Sequence, residues 1–167
     1  MERVNFYNDA EILRDAEITF KYHKNEINRM IPGADIQHVG STAIPDSVTK
    51  GDLDIQVRVS PNQFNHAVNI LSEMYDTNNS SIKTKEFRAF KDDETNPPLG
   101  IQLTVIGSEF DFFWKFRDVL LQNMDLKNEY DALKLKYENS SMSDYREAKD
   151  IFFEEIQQTI EFKALDI

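Results

Sequence analysis

The plainest period in the chain is two. In residues 52–59, DLDIQVRV, the side chains of Leu53, Ile55, Val57 and Val59 fall on one face, and Asp52, Asp54, Gln56 and Arg58 fall on the other. Such alternation predicts a half-buried strand whose polar face meets a cleft or solvent. Upstream, residues 9–30 carry Ile12, Ala16, Phe20 and Ile27 near helical spacing, and Pro32-Gly33 ends that helix. Residues 35–39 read as a short strand, and 40–51 as a loop holding Gly40, Pro45 and Gly51. Pro61 suits the first turn of a helix running to about Met74. A loop, a weak strand at 86–91, the turn DDETNPP and a β-branched strand at 100–106 follow. The remainder predicts helices over 109–123, 126–138 and 143–163, the last capped by Ser143. The order predicts an α+β fold over residues 1–167 as a single domain, with a mixed β-sheet, packed helices and a helical C-terminal half.

Composition narrows the chemistry. The 167 residues include no cysteine, which excludes a disulfide framework, a Cys-ligated zinc site and a cysteine nucleophile. No apolar run approaches the roughly 18–20 residues of a membrane span. The polar, acidic start MERVNFYNDAEILRD does not read as a signal peptide, so a cytoplasmic protein without membrane contact is expected. The net charge of −11 disfavours general nucleic-acid binding. A small phosphorylated ligand stays compatible, because a few local cations and a metal reverse the field inside one cleft.

Candidate chemistry sits in HVGSTAIPDSVTKGDLDI, residues 38–55. Asp52 and Asp54 project to the same side, and like charges so placed repel unless a cation lies between them. Ten residues earlier, Gly40-Ser41 forms a tight turn in which backbone N–H groups and the Ser41 hydroxyl are donors suited to phosphate oxygens. Magnesium commonly takes one or two carboxylates together with substrate phosphates. The pattern therefore predicts Mg2+ held by Asp52 and Asp54 beside a nucleoside triphosphate. The alternative reading is a solvated sheet face beside an ordinary turn.

The Gly-Ser turn followed by Asp-Leu-Asp-Ile resembles the signature of the nucleotidyltransferase superfamily that includes DNA polymerase beta. More closely, His38 through Pro45 and Lys50-Gly51-Asp52-Leu53-Asp54 resemble the GrpB family. So do Phe116-Arg117-Asp118-Val119-Leu120, Tyr130 with Leu133-Lys134, and Tyr145 with Lys149 and Phe152. The resemblance covers about residues 36–155 and implies a nucleotidyltransferase-like fold with the turn and the carboxylate strand lining one cleft.

Two departures stand out. Many GrpB-like chains carry acids that would fall on Asp54 and Gln56, whereas here they are Asp52 and Asp54. The superfamily also supplies a third carboxylate as base from a later strand, where this chain has Gln102 and Thr104. Neither is a base at neutral pH, and Glu86 is the acid nominated instead.

The expected catalytic set is thus Asp52, Asp54 and Glu86. The expected nucleotide-binding set is Gly40, Ser41, Thr42, Lys50, Arg88, Arg117, Lys134 and Lys149. His38, Gln56, Gln102 and Thr104 are expected around the cleft. Lys50 reads equally as a partner of Asp52 or a phosphate ligand, and Arg117 as a buried partner of Asp118 or Glu86 or as a phosphate clamp. The aromatic run at 110–114 reads first as packing of helices onto the sheet and second as a base-stacking surface. Two functions remain open: a Mg-dependent nucleotidyltransferase acting on a small-molecule or protein acceptor, and a nucleotide-binding or interaction module without chemistry. The acceptor and the oligomeric state are open as well.

Overall fold

A computed structural model describes residues 1–166. Helix α1 (Ala10–Met30) starts at Asp9, whose carboxylate accepts the Glu11 N–H. It buries Ala16, Phe20, His23 and Ile27 along one stripe. Strands β1 (Asp35–Val39), β2 (Leu53–Val59), β3 (Asp76–Thr77), β4 (Phe87–Asp92) and β5 (Leu99–Val105) form one sheet in the order β1-β2-β5-β4-β3. Strands β2 and β5 run parallel, the chain between them passing through helix α2 (Phe64–Met74), β3 and β4, and the other pairs are antiparallel. The short β3 lies inside a stretch whose polar composition predicts only loop.

The two faces of the sheet are chemically different. On one, Leu53, Ile55, Val57 and Val59 meet Ile101 and Leu103 under α1 and α2, forming the main core. The other carries the polar side of β2 and β5; helix α3 (Phe113–Gln122) packs on β1, and α4 (Met124–Lys136) and α5 (Met142–Ile156) pack on α3 and on each other. These pack on one another through a second cluster containing Val119, Leu120, Tyr130, Phe152 and Ile156.

Three boundaries differ from expectation. Ser141, not Ser143, caps α5, its side chain accepting the Asp144 N–H at 3.1 Å. The expected long terminal helix is two, because the chain turns after Ile156 and Thr159 caps a short α6 (Ile160–Lys163). The aromatic run at 110–112 precedes α3 as turns rather than forming its first residues.

Candidate active site

Asp54 lies on the polar face of β2, where its register partner on β5 is Gly100. A β-carbon built at Gly100 would fall 3.0 Å from Asp54 Oδ1, and one at Gly40 would fall 2.5 Å from Oδ2. The carboxylate is clasped between two glycines. Gly40 also holds φ at 75°, a conformation that side chains resist. Burial, and after it the charge of Asp52, push the Asp54 carboxyl up to about 6, while Lys149 and Lys50 pull it back. Asp52 just precedes the strand, 41% exposed, with Oδ2 3.2 Å from Lys50 Nζ.

The turn after β1 is braced from both sides. Ser41 to Ala43 make a single 3₁₀ turn within the loop expected over 40–51. Ser41 Oγ lies 2.7 Å from Thr49 Oγ1, and the Ser47 hydroxyl donates to the Ser41 carbonyl at 2.5 Å. Thr42 donates to the Asp52 carbonyl at 3.1 Å and meets His38 Nε2 at 3.0 Å. His38 Nδ1 lies 2.7 Å from Glu17, and its ring stacks on Phe20. Burial lowers the pKa of His38 despite Glu17. One chain of contacts thus ties α1, β1, the turn and the segment carrying Asp52.

A cleft of about 650 Å³ opens above this floor, walled by α3, by α5 along its length and by Tyr130 of α4. It brings together Gly40, Ser41, Lys50, Asp52, Asp54 and Gln102 from the sheet side. From the helices come Arg117, Tyr130, Tyr145, Arg146 and Lys149. Burial, then the nearby Lys50, lowers the pKa of Lys149. Burial raises both tyrosines, Tyr145 to about 12, and both are close enough to Asp54 to feel its charge. The cleft gathers four cationic side chains, Lys50, Arg117, Arg146 and Lys149, among four acids, Asp52, Asp54, Asp150 and Glu154.

Several expected site residues lie elsewhere. Glu86 is exposed and precedes β4, while the register puts Asp54 level with Gly100 and Lys91 toward the opposite end of that strand. It is no base for this cleft. Arg88 pairs with Leu103 and alternates with Phe90, so it lies on the face covered by α2. Thr42 is 4% exposed and spends its hydroxyl on the Asp52 carbonyl rather than on the cleft. Lys134 is buried against the Val48 carbonyl, Asp131 and the face of Tyr130, and burial lowers it to about 8. It braces the loop before β2. Arg117 lines the cleft, but its guanidinium binds Asp118, the Gln37 side chain and the His38 carbonyl.

Gln56 and Thr104 belong to a separate buried network. Gln56 Nε2 donates to Thr104 Oγ1 and to Asp111 Oδ1, each at 2.9 Å, and its oxygen accepts the Trp114 N–H. Arg58 grips Asp111 with two bonds of 2.7 and 2.8 Å. Burial alone would raise Asp111, but Arg58 and the Gly107 N–H hold it below the usual carboxylate range. This network anchors the start of α3. Among the described residues no group of three or more His, Asp or Glu is placed to hold a metal, so Asp52 and Asp54 stand as a pair.

The mixed sheet, the carboxylate strand beside a Gly-Ser turn and the helical wall define a nucleotidyltransferase-like fold. The Cid1 poly(U) polymerase structure with MgGTP bound shares it at a TM-score of 0.51 and 11% identity, over 77% of this chain and 42% of that one. The chain belongs to the GrpB family: the family described as GrpB protein matches residues 15–159. A UPF0157 protein of Vibrio cholerae serotype O1 is 32% identical over 156 residues, 93% of this chain and 82% of that protein. The crystal structure of the conserved protein GrpB from Enterococcus faecalis matches at a TM-score of 0.70 and 16% identity, over 89% of this chain and 93% of that one.

Proposed function

We propose that this protein is a Mg2+-dependent nucleotidyltransferase acting on a nucleoside triphosphate and a small-molecule or protein acceptor. The observation that carries the reading is the Asp54 carboxylate clasped between Gly40 and Gly100 at the floor of a cleft that Lys50 and Lys149 also line. At Gly40 a side chain would displace a carboxylate that is itself costly to bury, and at Gly100 it would crowd it. Asp52 and Asp54 offer hard oxygen donors of the kind Mg2+ prefers. Bound there, the ion would neutralise triphosphate charge and polarise the α-phosphoryl group.

The chain's own residues then divide the work. Ser41 and the turn approach the polyphosphate closely because Gly40 has no side chain. Lys50, Arg146 and Lys149 supply positive charge along the phosphates. Attack by an acceptor hydroxyl or amine on the α-phosphorus forms the new bond and releases pyrophosphate. Gln102, on the strand where a third acid would stand, cannot take the acceptor proton.

That last feature favours a second reading, a nucleotide-binding module without chemistry. Pyrophosphate release over a panel of hydroxyl and amine acceptors, with Mg2+ and each nucleotide, separates the two. Turnover that disappears in Asp54→Asn supports transfer. Binding without turnover across the panel supports the module.

A further inference from the structure

We propose that a second pocket beside the cleft takes the acceptor, and that the acceptor is a small polyhydroxylated molecule rather than a protein, an inference that rests on the nucleotide reading above. The pocket encloses about 360 Å³ between α1, the segment before it, the loop before β2 and the turn between β4 and β5. That volume suits a small ligand, whereas a protein partner needs a far wider surface. The walls are tied to the residues flanking Asp52. Tyr7 and Thr49 exchange backbone hydrogen bonds of 2.7 and 2.9 Å, and the Leu53 N–H donates to the Pro98 carbonyl at 2.9 Å. Gly51, one residue before Asp52, lines the pocket, and Lys50 lines both the pocket and the cleft. The segment 50–52 is thus the partition between this pocket and the carboxylates.

The lining joins apolar surface to polar groups that the chain leaves unused. Ile12, Ile18, Pro97 and Pro98 supply C–H surface, and Tyr7, half exposed, adds a ring face. Ile12, Asp15 and Thr19 share one side of α1 by their spacing. Among the described residues the side chains of Tyr7, Asp15, Thr19 and Asn96 make no hydrogen bond and no ion pair. The two hydroxyls and the amide each donate and accept, and the Asp15 carboxylate accepts. Polyol hydroxyls also donate and accept, so one such molecule satisfies all four groups while its C–H faces pack on the prolines and isoleucines. A small apolar amine would answer Asp15 and leave three neutral groups unpaired. An anion would face Asp15, and the pocket's cation, Lys50, is already paired with Asp52 at 3.2 Å. In the transfer a polyol oxygen forms the bond to the α-phosphorus. Pyrophosphate leaves with the electron pair of the broken P–O bond, and the hydroxyl proton passes to solvent, since Gln102 takes none.

Calorimetry and saturation-transfer NMR on the full chain test this, with glucose, ribose, myo-inositol and glycerol as neutral polyols. Glucose 6-phosphate, butylamine, the nucleoside triphosphates and inorganic tripolyphosphate in Mg2+ complete the set of probes. The expected result is saturable binding of at least one neutral polyol, tighter than that of glucose 6-phosphate or butylamine and unaffected by saturating tripolyphosphate. Asp15→Ala, at an exposed position, weakens that polyol about tenfold, the worth of one hydrogen bond to a charged group. Tyr7→Ala weakens it severalfold, and both variants bind tripolyphosphate as the parent does. Absence of polyol binding, tighter binding of glucose 6-phosphate or butylamine, displacement of the polyol by tripolyphosphate, or an affinity unmoved by both substitutions overturns the pocket and leaves the nucleotide reading standing. Polyol binding with no binding of any nucleotide or of tripolyphosphate overturns the nucleotide reading and, with it, the acceptor role.

Discussion

Gly40 lies so close over Asp54 that any β-carbon on it would fall 2.5 Å from the carboxylate oxygen Oδ2. The turn and the acid are therefore one unit: the shape of the first fixes the place of the second. Gly40→Ala meets both this clash and a φ of 75°. It is expected to destabilise the fold by about 2–5 kcal/mol and to move Asp54 out of its clasp. Urea denaturation checks the first effect, and loss of nucleotide affinity in the remaining folded fraction checks the second.

Asp54 is held at a cost to the fold. Its carboxyl is raised to about 6 by burial and by Asp52, so the folded state takes a proton more readily than the unfolded chain. At pH values above 6 the ionised group weakens the fold, and the penalty shrinks as pH falls toward 4. Asp54→Asn in metal-free buffer at pH 8 is expected to raise stability by roughly 1–3 kcal/mol. The gain should fade near pH 4. Added Mg2+ should raise the melting temperature of the parent chain and not of the variant, which a thermal scan reads directly.

His23 and His38 oppose this trend. His23 sits beside the Tyr75 hydroxyl at 2.8 Å, His38 between Glu17 and Thr42, and burial lowers the pKa of both. The unfolded chain takes up protons near pH 6.5 that the folded histidines resist. Stability contributed by the two neutral rings is full above that pH and declines as pH falls through it. Measured in the Asp54→Asn background, stability should drop between pH 7.5 and 5.5, and replacing His23 by Gln should reduce the slope.

The Arg58–Asp111 pair carries a different burden. Both are buried, and their bonds fasten the start of α3 to β2. Asp111→Ala leaves a guanidinium uncompensated apart from Asp35, and is expected to cost about 3–5 kcal/mol. Chemical denaturation checks the loss. The protein that remains folded should bind tripolyphosphate as the parent does.

Residues 52–59 were legible because strict alternation leaves only one way to bury Leu53, Ile55, Val57 and Val59. That alternation also placed Asp54 and the Gly-Ser turn at one site. Alternation does not say which end of a strand faces the cleft, and Glu86, nominated as base, stands at the end of β4 away from Asp54. Nor could it say which face of β4 is polar, so Arg88 was assigned to the wrong side. Lys134 looks like any solvated helical lysine until α4 is packed against the loop carrying Val48. The apolar period of residues 143–163 continues across the turn at 157–159, so one helix was read where two exist. Arg146, Tyr130 and Tyr145 carry no sequence signal for the site because only the packing of α4 and α5 brings them to the cleft. Gly100 carried a usable signal: a lone glycine at the start of a β-branched run marks close approach by another group.

The most direct test is a crystal structure of the protein with Mg2+ and a non-hydrolysable nucleoside triphosphate. The account predicts metal density bonded to oxygens of both Asp52 and Asp54, and phosphates against the Ser41 turn and Lys149. A nucleotide bound elsewhere, or a cleft that stays free of metal at saturating Mg2+ and nucleotide, contradicts it.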